Sequence, residues 1–273
     1  MSSFTSITPM PALQPFVEQF IFYEANSTTT ITQNLIPSNR QYVGFILKGN
    51  KQAFVPGTFD GSLPISKSYV IGQLSRPIKV TYPGNIKILA IHFKPTGMYQ
   101  LFGIPMNNFT NQVVAFETIA EIEGHAFIQE LLGASCLKKQ IAIAERFLLQ
   151  KTKQENLRHA KQVEHACNLI QKHHGNIRLK YLLQQVNMCE RNFARCFLER
   201  VGISPKTFIS IARINKALQM IENLSAFKWT DFAYQLNYVD QAHFNHDFKK
   251  FSGNNPTQYY YSRTDFEHFL YRR

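Results

Sequence analysis

The sequence predicts an α+β chain: an amino-terminal antiparallel β-barrel carrying two helices, followed by an all-α domain with two helix-turn-helix units. Three observations lead there. Short Val-, Ile- and Phe-rich runs between turn residues fill the first hundred positions, one helical unit is written twice after about residue 177, and the positive charge gathers on the half holding that repeat. At 273 residues the chain is long enough for two ordinary domains.

Residues 1–15 hold three prolines among several Ser and Thr and read as an irregular lead-in. Phe16 to Tyr23 mixes aromatic and β-branched residues, which suits a strand, with a short amphipathic helix as the alternative. Further strands are expected at Tyr42–Lys48, Gln52–Val55, Ser68–Leu74, Ile78–Tyr82 and Ile86–Phe93, punctuated by Gly49-Asn50, Pro56-Gly57, Pro64 and Pro83-Gly84. Short strands with such turns imply an antiparallel sandwich or barrel. The aromatic residues here, among them Phe20, Phe22, Tyr23, Tyr42 and Phe45, are read first as core, with a small-molecule pocket among the rings as a hypothesis.

After Lys94-Pro95 the apolar spacing becomes helical. Residues 115–132 and 136–150 place Ile119, Ile122, Phe127 and Leu131, then Ile141, Ala144, Phe147 and Leu148, at the period of two helices packed on the strands. The polar stretch 150–156 is the expected linker, dividing a domain at 1–150 from one at 157–273. Ala160, Val163, Ala166, Cys167 and Ile170 then make a further amphipathic helix.

The repeat follows. Phe193, Phe197, Gly202 and Pro205 stand at the same spacings as Phe244, Phe248, Gly253 and Pro256, and each set follows an apolar segment ending in Val186-Asn187 or Leu236-Asn237. Phenylalanines four apart share a helical face, Gly can close the helix in the left-handed conformation, and Pro stops its continuation. Asn is a common non-glycine residue at positive φ, which fits the turn. Two helices joined by such a turn can place the second in a DNA major groove. Turning about 100° per residue from Phe193, Arg191 and Arg195 fall at about 160° and about 200°, away from the buried face. Ala242 and His246 occupy the corresponding places in the second copy, flanked by Asn245 and Lys249.

At these residues the chain resembles the AraC/XylS family of bacterial transcription regulators. The resemblance covers roughly 158–261: the run Asp240 to Gly253 with Pro256 and Tyr259, the Gly202-Ile203-Ser204-Pro205 step, and Arg213 to Ala217 opening the connecting helix. The chain departs from the family at Asn187 and Asn237, where Gly is usual, at Cys189, where Ser is usual, and at His246, where Arg is usual. The resemblance implies two helix-turn-helix units joined by a long helix and a cupin-like amino-terminal module for ligand binding and dimerisation. His92 resembles a cupin metal ligand, yet only His125 accompanies it in the first 150 residues, so neither a metal nor another cofactor is expected.

The expected base contacts are therefore Arg191, Arg195, Ala242, Asn245 and His246, with Asn245 readable either as an adenine contact or as a polar surface residue. Arg to guanine O6 and N7 is the commonest specific pairing. Lys206, Arg213, Lys249 and Lys250 are expected at phosphates. His243 is expected to pack partly. Its spacing to His246, with Asp247, lacks the further ligand a zinc site requires.

Charge agrees. Residues 1–150 carry 11 basic and 8 acidic side chains, residues 151–273 carry 19 and 10, and the whole chain is +12. An excess local to the repeated unit favours duplex DNA over other polyanions. The four cysteines, Cys136, Cys167, Cys189 and Cys196, lack a paired pattern and fit a reducing cytoplasm; Cys189 and Cys196 are read as small buried packing residues. No apolar run approaches a membrane span and no secretion signal opens the chain, so a cytoplasmic location is expected.

No Gly-rich phosphate loop, nucleophile elbow, HExxH or CxxC occurs, and no enzyme activity is expected. The expected function is sequence-specific DNA binding that regulates transcription. Recognition helices about 34 Å apart would read successive major grooves. A small-molecule effector would shift the population competent for DNA, a homodimer would cover two sites, and the resemblance implies activation through RNA polymerase. One rival is an alkyl-accepting DNA-repair protein with the same kind of domain, which needs cysteines near the amino terminus where residues 1–135 hold none. Another is a ligand-binding barrel whose helical tail is structural.

Overall fold

The computed structural model describes residues 2–49, 67–82, 84–152, 160–222 and 229–262. The expected strand Gln52–Val55 and most of the expected linker lie outside them. Eight strands are described: β1 (Ser2–Ile7), β2 (Val17–Asn26), β3 (Ile31–Leu35), β4 (Gln41–Lys48), β5 (Ser68–Ile71), β6 (Ile78–Tyr82), β7 (Asn85–Phe93) and β8 (Val113–Ala115). They form a six-stranded sheet in the order β1-β2-β7-β4-β5-β8 and a two-stranded sheet of β3 and β6, with antiparallel pairing throughout. Among the described residues the larger sheet does not close on itself, so the arrangement is two facing sheets.

Both faces of the central strands are buried, which is why they read as continuous apolar runs rather than alternating ones. One face sends Phe20, Val43, Phe45, Leu89 and Phe93 towards the helices. The other sends Tyr23, Ile46, Tyr69, Ile71 and Ile88 towards Ile78, Val80 and Tyr82 of the small sheet. Gly44 is required here, because a Cβ on it would come within 2.2 Å of the Tyr69 ring lying across β4. The helices are α1 (Gly97–Phe102), α2 (Glu117–Gly133) and α3 (Leu137–Lys151). Phe127 of α2 and Phe147 of α3 stack at 4.2 Å, and Phe45 meets Phe127 edge-on, clamping the pair to the sheet.

The irregular lead-in expected over 1–15 is corrected: Ser2–Ile7 is an edge strand paired along β2 from Ser2–Ala25 to Ile7–Phe20. All three prolines fall after it, so every residue of the strand keeps its N–H. Phe16–Tyr23, read as strand or helix, lies mostly within strand β2, and β3, β8 and α1 are additions to the expected elements.

The carboxy-terminal half comprises α4 (Ala160–Lys172), α5 (Leu179–Val186), α6 (Glu190–Val201), α7 (Pro205–Glu222), α8 (Trp229–Gln235), α9 (Gln241–Ser252) and α10 (Pro256–Ser262). One apolar cluster runs through all of them, from Val163 and Ile170 through Phe193 and Phe197 to Phe244, Phe248 and Tyr259. Connecting helix α7 supplies Phe208, Ile211, Ile214 and Leu218 to the same cluster, so the two units share one core. Ile36 of the amino-terminal half also belongs to it.

The halves meet at the carboxy ends of α6 and α9 and along α7. Gln41 Nε2 donates to the Val201 carbonyl at 3.0 Å, Asn39 Nδ2 to the Phe208 carbonyl at 2.9 Å, and Asn34 Nδ2 to the Ser252 carbonyl at 3.2 Å. Thr110 Oγ1 donates to the Gly202 carbonyl, and Pro77 faces Gly253.

Candidate nucleic-acid interface

Each helix-turn-helix is built by the same local chemistry. Asn187 and Asn237 sit at φ of 50° and 55°, the left-handed region predicted for them. The N–H of the following residue returns to the carbonyl five before it, Met188 to Leu183 and Tyr238 to Ala233, which satisfies carbonyls that a helix end leaves bare. Gly202 and Gly253 end α6 and α9 at φ of 98° and 83°, each donating four residues back, to Leu198 and Lys249. Pro205 and Pro256 do not merely stop a helix: each opens the next, at the first helical position, where a missing N–H costs nothing.

The two helix starts differ. Asp240 accepts the N–H of His243 at 2.7 Å and caps α9, whereas Cys189 precedes α6 without a side-chain hydrogen bond. Cys189 is exposed, which corrects its reading as a buried packing residue; Cys196 is buried as read.

With Phe193 and Phe197 fully buried, Arg191 and Arg195 emerge exposed on the opposite side of α6. Arg195 lies along the helix, its Nη2 donating to Asn192 Oδ1 at 3.1 Å and its Nη1 lying 3.5 Å from Glu199 Oε2. Asn192 and Glu199 were not singled out in the sequence, although a carboxylate four residues beyond an arginine is a readable signal. On α9, Ala242 and His246 are exposed and Asn245 is partly so; His246 Nδ1 stands 3.7 Å from Asp247 Oδ1.

Lys206, Lys249 and Lys250 are exposed at helix ends. Arg213 is placed differently: its guanidinium lies 5.1 Å over the Tyr238 ring, between the connecting helix and the second turn. The Tyr238 hydroxyl donates to Asp247 Oδ2 at 3.3 Å, and its ring meets His243 edge-on at 5.1 Å, although that histidine, expected to pack partly, is exposed. Burial, and then the Asp247 carboxylate, push the Tyr238 phenol up, so it remains a donor.

Among the hollows of the described residues, one of about 460 Å³ lies against Leu101, Ile119 and Lys151, and two more lie between the sheets and at the joint. The first of these two, of about 60 Å³, lies between the sheets against Tyr23, Tyr42, Tyr69, Tyr82 and His92. Burial pushes Tyr69 up to about 12 and raises Tyr23, Tyr42 and Tyr82 as well, so these four phenols are neutral at ordinary pH. His92 is itself buried, with Gln19 Nε2 3.4 Å from Nδ1 and Tyr42 packed edge-on. The second hollow, of about 370 Å³, sits where the halves meet, lined by Glu18, Arg40 and Lys94 from one side and His174, Asn215 and Lys216 from the other.

Paired turns, paired glycine caps and a single core define a DNA-binding domain with two helix-turn-helix units. Residues 182–261 match the family model described as a helix-turn-helix domain, and the domain is of the AraC type. Residues 5–115 match a second model, described as a domain of unknown function (DUF6597). No curated protein sequence matches the chain significantly. Among solved structures, ToxT from Vibrio cholerae is 15% identical, covering 89% of this chain and 97% of its own, with a TM-score of 0.49. ToxT bound to (E)-4-(8-methylnaphthalen-1-yl)but-3-enoic acid is 13% identical over 95% of this chain and 98% of its own, with a TM-score of 0.49. The C-terminal domain of AraT, a response regulator from Geobacillus stearothermophilus, is 26% identical over 39% of this chain and 89% of its own, with a TM-score of 0.36. Among the described residues no helix is long and apolar enough to cross a membrane.

Proposed function

We propose that this chain is a sequence-specific, effector-responsive transcription regulator that reads two successive major grooves with α6 and α9. The observation that carries this reading is the exposure of Arg191 and Arg195 opposite two fully buried phenylalanines, in a unit repeated on the same core. Arg191 and Arg195 would read bases from α6, and Ala242, Asn245 and His246 from α9. Lys206, Lys249, Lys250 and the partly exposed residue Arg213 would neutralise phosphates. The chain would act in the cytoplasm on duplex DNA, as a homodimer where two sites adjoin, activating through RNA polymerase.

Regulation would enter at the joint. A ligand shifts an equilibrium only by its difference in affinity for the two states, and a molecule in the hollow of about 370 Å³ would touch both halves at once. That volume falls in the range of small-molecule sites, about 300–1,000 Å³. The tyrosine-lined hollow, at about 60 Å³, has room for only a few waters.

Selection of bound sequences from a random duplex pool, repeated across salt, tests the reading. The expected result is a motif in two blocks one helical turn apart and an affinity that falls steeply as salt rises. No enrichment at low salt would overturn it.

A further inference from the structure

Arg195 is tied, through one carboxylate, to the other half of the protein. Glu199 Oε2 lies 3.5 Å from Arg195 Nη1, and Glu199 Oε1 accepts the hydroxyl of Tyr99, in α1, at 3.1 Å. Arg200 completes the cluster. Its side chain is 7% exposed, stands 3.7 Å from Glu199 Oε2, donates to the Cys196 carbonyl at 3.3 Å and stacks 5.1 Å over the Tyr99 ring.

We propose that Glu199 is a positioning residue which, held by Tyr99, fixes the guanidinium of Arg195 and makes the sharpness of base reading by α6 depend on the seating of the amino-terminal half. The inference rests on the reading of Arg195 as a base contact.

An exposed arginine–glutamate pair four apart is by itself weak and mobile. This one is not left to itself, because Glu199 is held from a second domain by the Tyr99 hydroxyl and stands beside a buried guanidinium. Asn192 holds the other end of the Arg195 fork at 3.1 Å, so the planar group is confined from both sides along the helix. An arginine already confined loses less freedom on meeting a guanine edge, and it presents its fork in fewer directions to the wrong base. Tyr99 thus contributes to discrimination without touching DNA. A change of seating that withdraws α1 from α6 removes the Tyr99 hydroxyl from the carboxylate.

The experiment uses the full chain and an operator obtained by selection, and reads the preference at each base pair together with affinity for non-specific duplex. Tyr99→Phe keeps the ring beneath Arg200 and alters no charge. It is expected to lower discrimination at the base pair read by Arg195 by about 2- to 10-fold, the range that ordering one long side chain represents, with other positions, non-specific affinity and salt dependence unchanged. Glu199→Gln removes a negative charge near the phosphates, so it should lower the same discrimination while raising non-specific affinity. Tyr99→Phe added to Glu199→Gln should cost nothing more.

An unchanged preference in Tyr99→Phe, a loss spread evenly over the operator, or additive effects in the double variant would each overturn the proposal. If Arg195→Ala also leaves every base preference intact, the base-contact reading falls with it. If Arg195→Ala relaxes one base pair and Tyr99→Phe does not, only the link through Glu199 is lost.

Discussion

Asn34 and Ser252 are 218 residues apart in sequence, yet the Asn34 amide reaches the Ser252 carbonyl at 3.2 Å. Ser252 stands immediately before Gly253, as Val201 stands before Gly202, and the Val201 carbonyl takes the amide of Gln41 at 3.0 Å. The amino-terminal half therefore caps both α6 and α9 at the equivalent position of each repeat, supplying donors to carbonyls that a helix end leaves without partners.

Removing these amides should weaken the joint unequally. Gln41 is fully buried and Asn34 partly exposed, so Gln41→Ala should cost about 1–3 kcal/mol and Asn34→Ala should cost less. Urea unfolding of the full chain measures both, and equal losses would argue against the joint as described.

Base reading by α6 should fail locally. Arg191→Ala and Arg195→Ala are each expected to relax preference at one base pair by about 1–3 kcal/mol. Competition binding against operators altered one pair at a time checks this, and a variant that keeps the preferred operator at near-wild-type affinity removes that residue from the readers.

The unequal caps should respond in opposite directions. Asp240→Ala should destabilise by about 1 kcal/mol, whereas Cys189→Ser should stabilise by a similar amount, because extended backbone at φ −71° and ψ 151° already suits a serine cap. Thermal melting of both variants decides it.

The shared aromatic core predicts that either repeat, when damaged, unfolds the helical half as a unit. Phe193→Ala and Phe248→Ala should each cost about 3–5 kcal/mol, since both rings are fully buried. Denaturation followed by circular dichroism should show one transition moved to lower denaturant.

His174, exposed at the edge of the joint hollow, is lowered by partial desolvation and by the neighbouring Lys216 and His173. Its folded form resists a proton that the unfolded chain accepts near pH 6.5, so its contribution to stability falls as pH drops below about 6.5 and levels off below the lowered value. His174→Asn, which tolerates the left-handed backbone at φ 50°, should flatten the melting temperature between pH 7 and 5. An unaltered slope would assign the pH dependence to other groups.

The helical half was largely legible because its signals are local. Phenylalanine spacing, Asn at the turn and Gly at the helix end each act within five residues, and both copies carry them. The strands β4, β5, β6 and β7 were legible for the same reason, since β-branched runs end at turn residues, whereas the short β8 was not. Ser2–Ile7 was not, because its strand state comes from pairing with β2 rather than from its own Ser- and Thr-rich composition. The joint was illegible because Asn34, Asn39 and Gln41 are common surface types, and only the fold brings them to helix-end carbonyls. Arg213 was expected at phosphate from its charge, whereas its place over Tyr238 depends on how the connecting helix crosses the second turn.

Ile36 marks where a cut through this molecule would go wrong. Its side chain completes the hydrophobic interior of the helical half although the residue comes from the other half. A fragment starting at the linker would carry an open notch and so tend to self-associate. A chimera joining this helical unit to a foreign sensor would have to fill the place that Ile36 occupies.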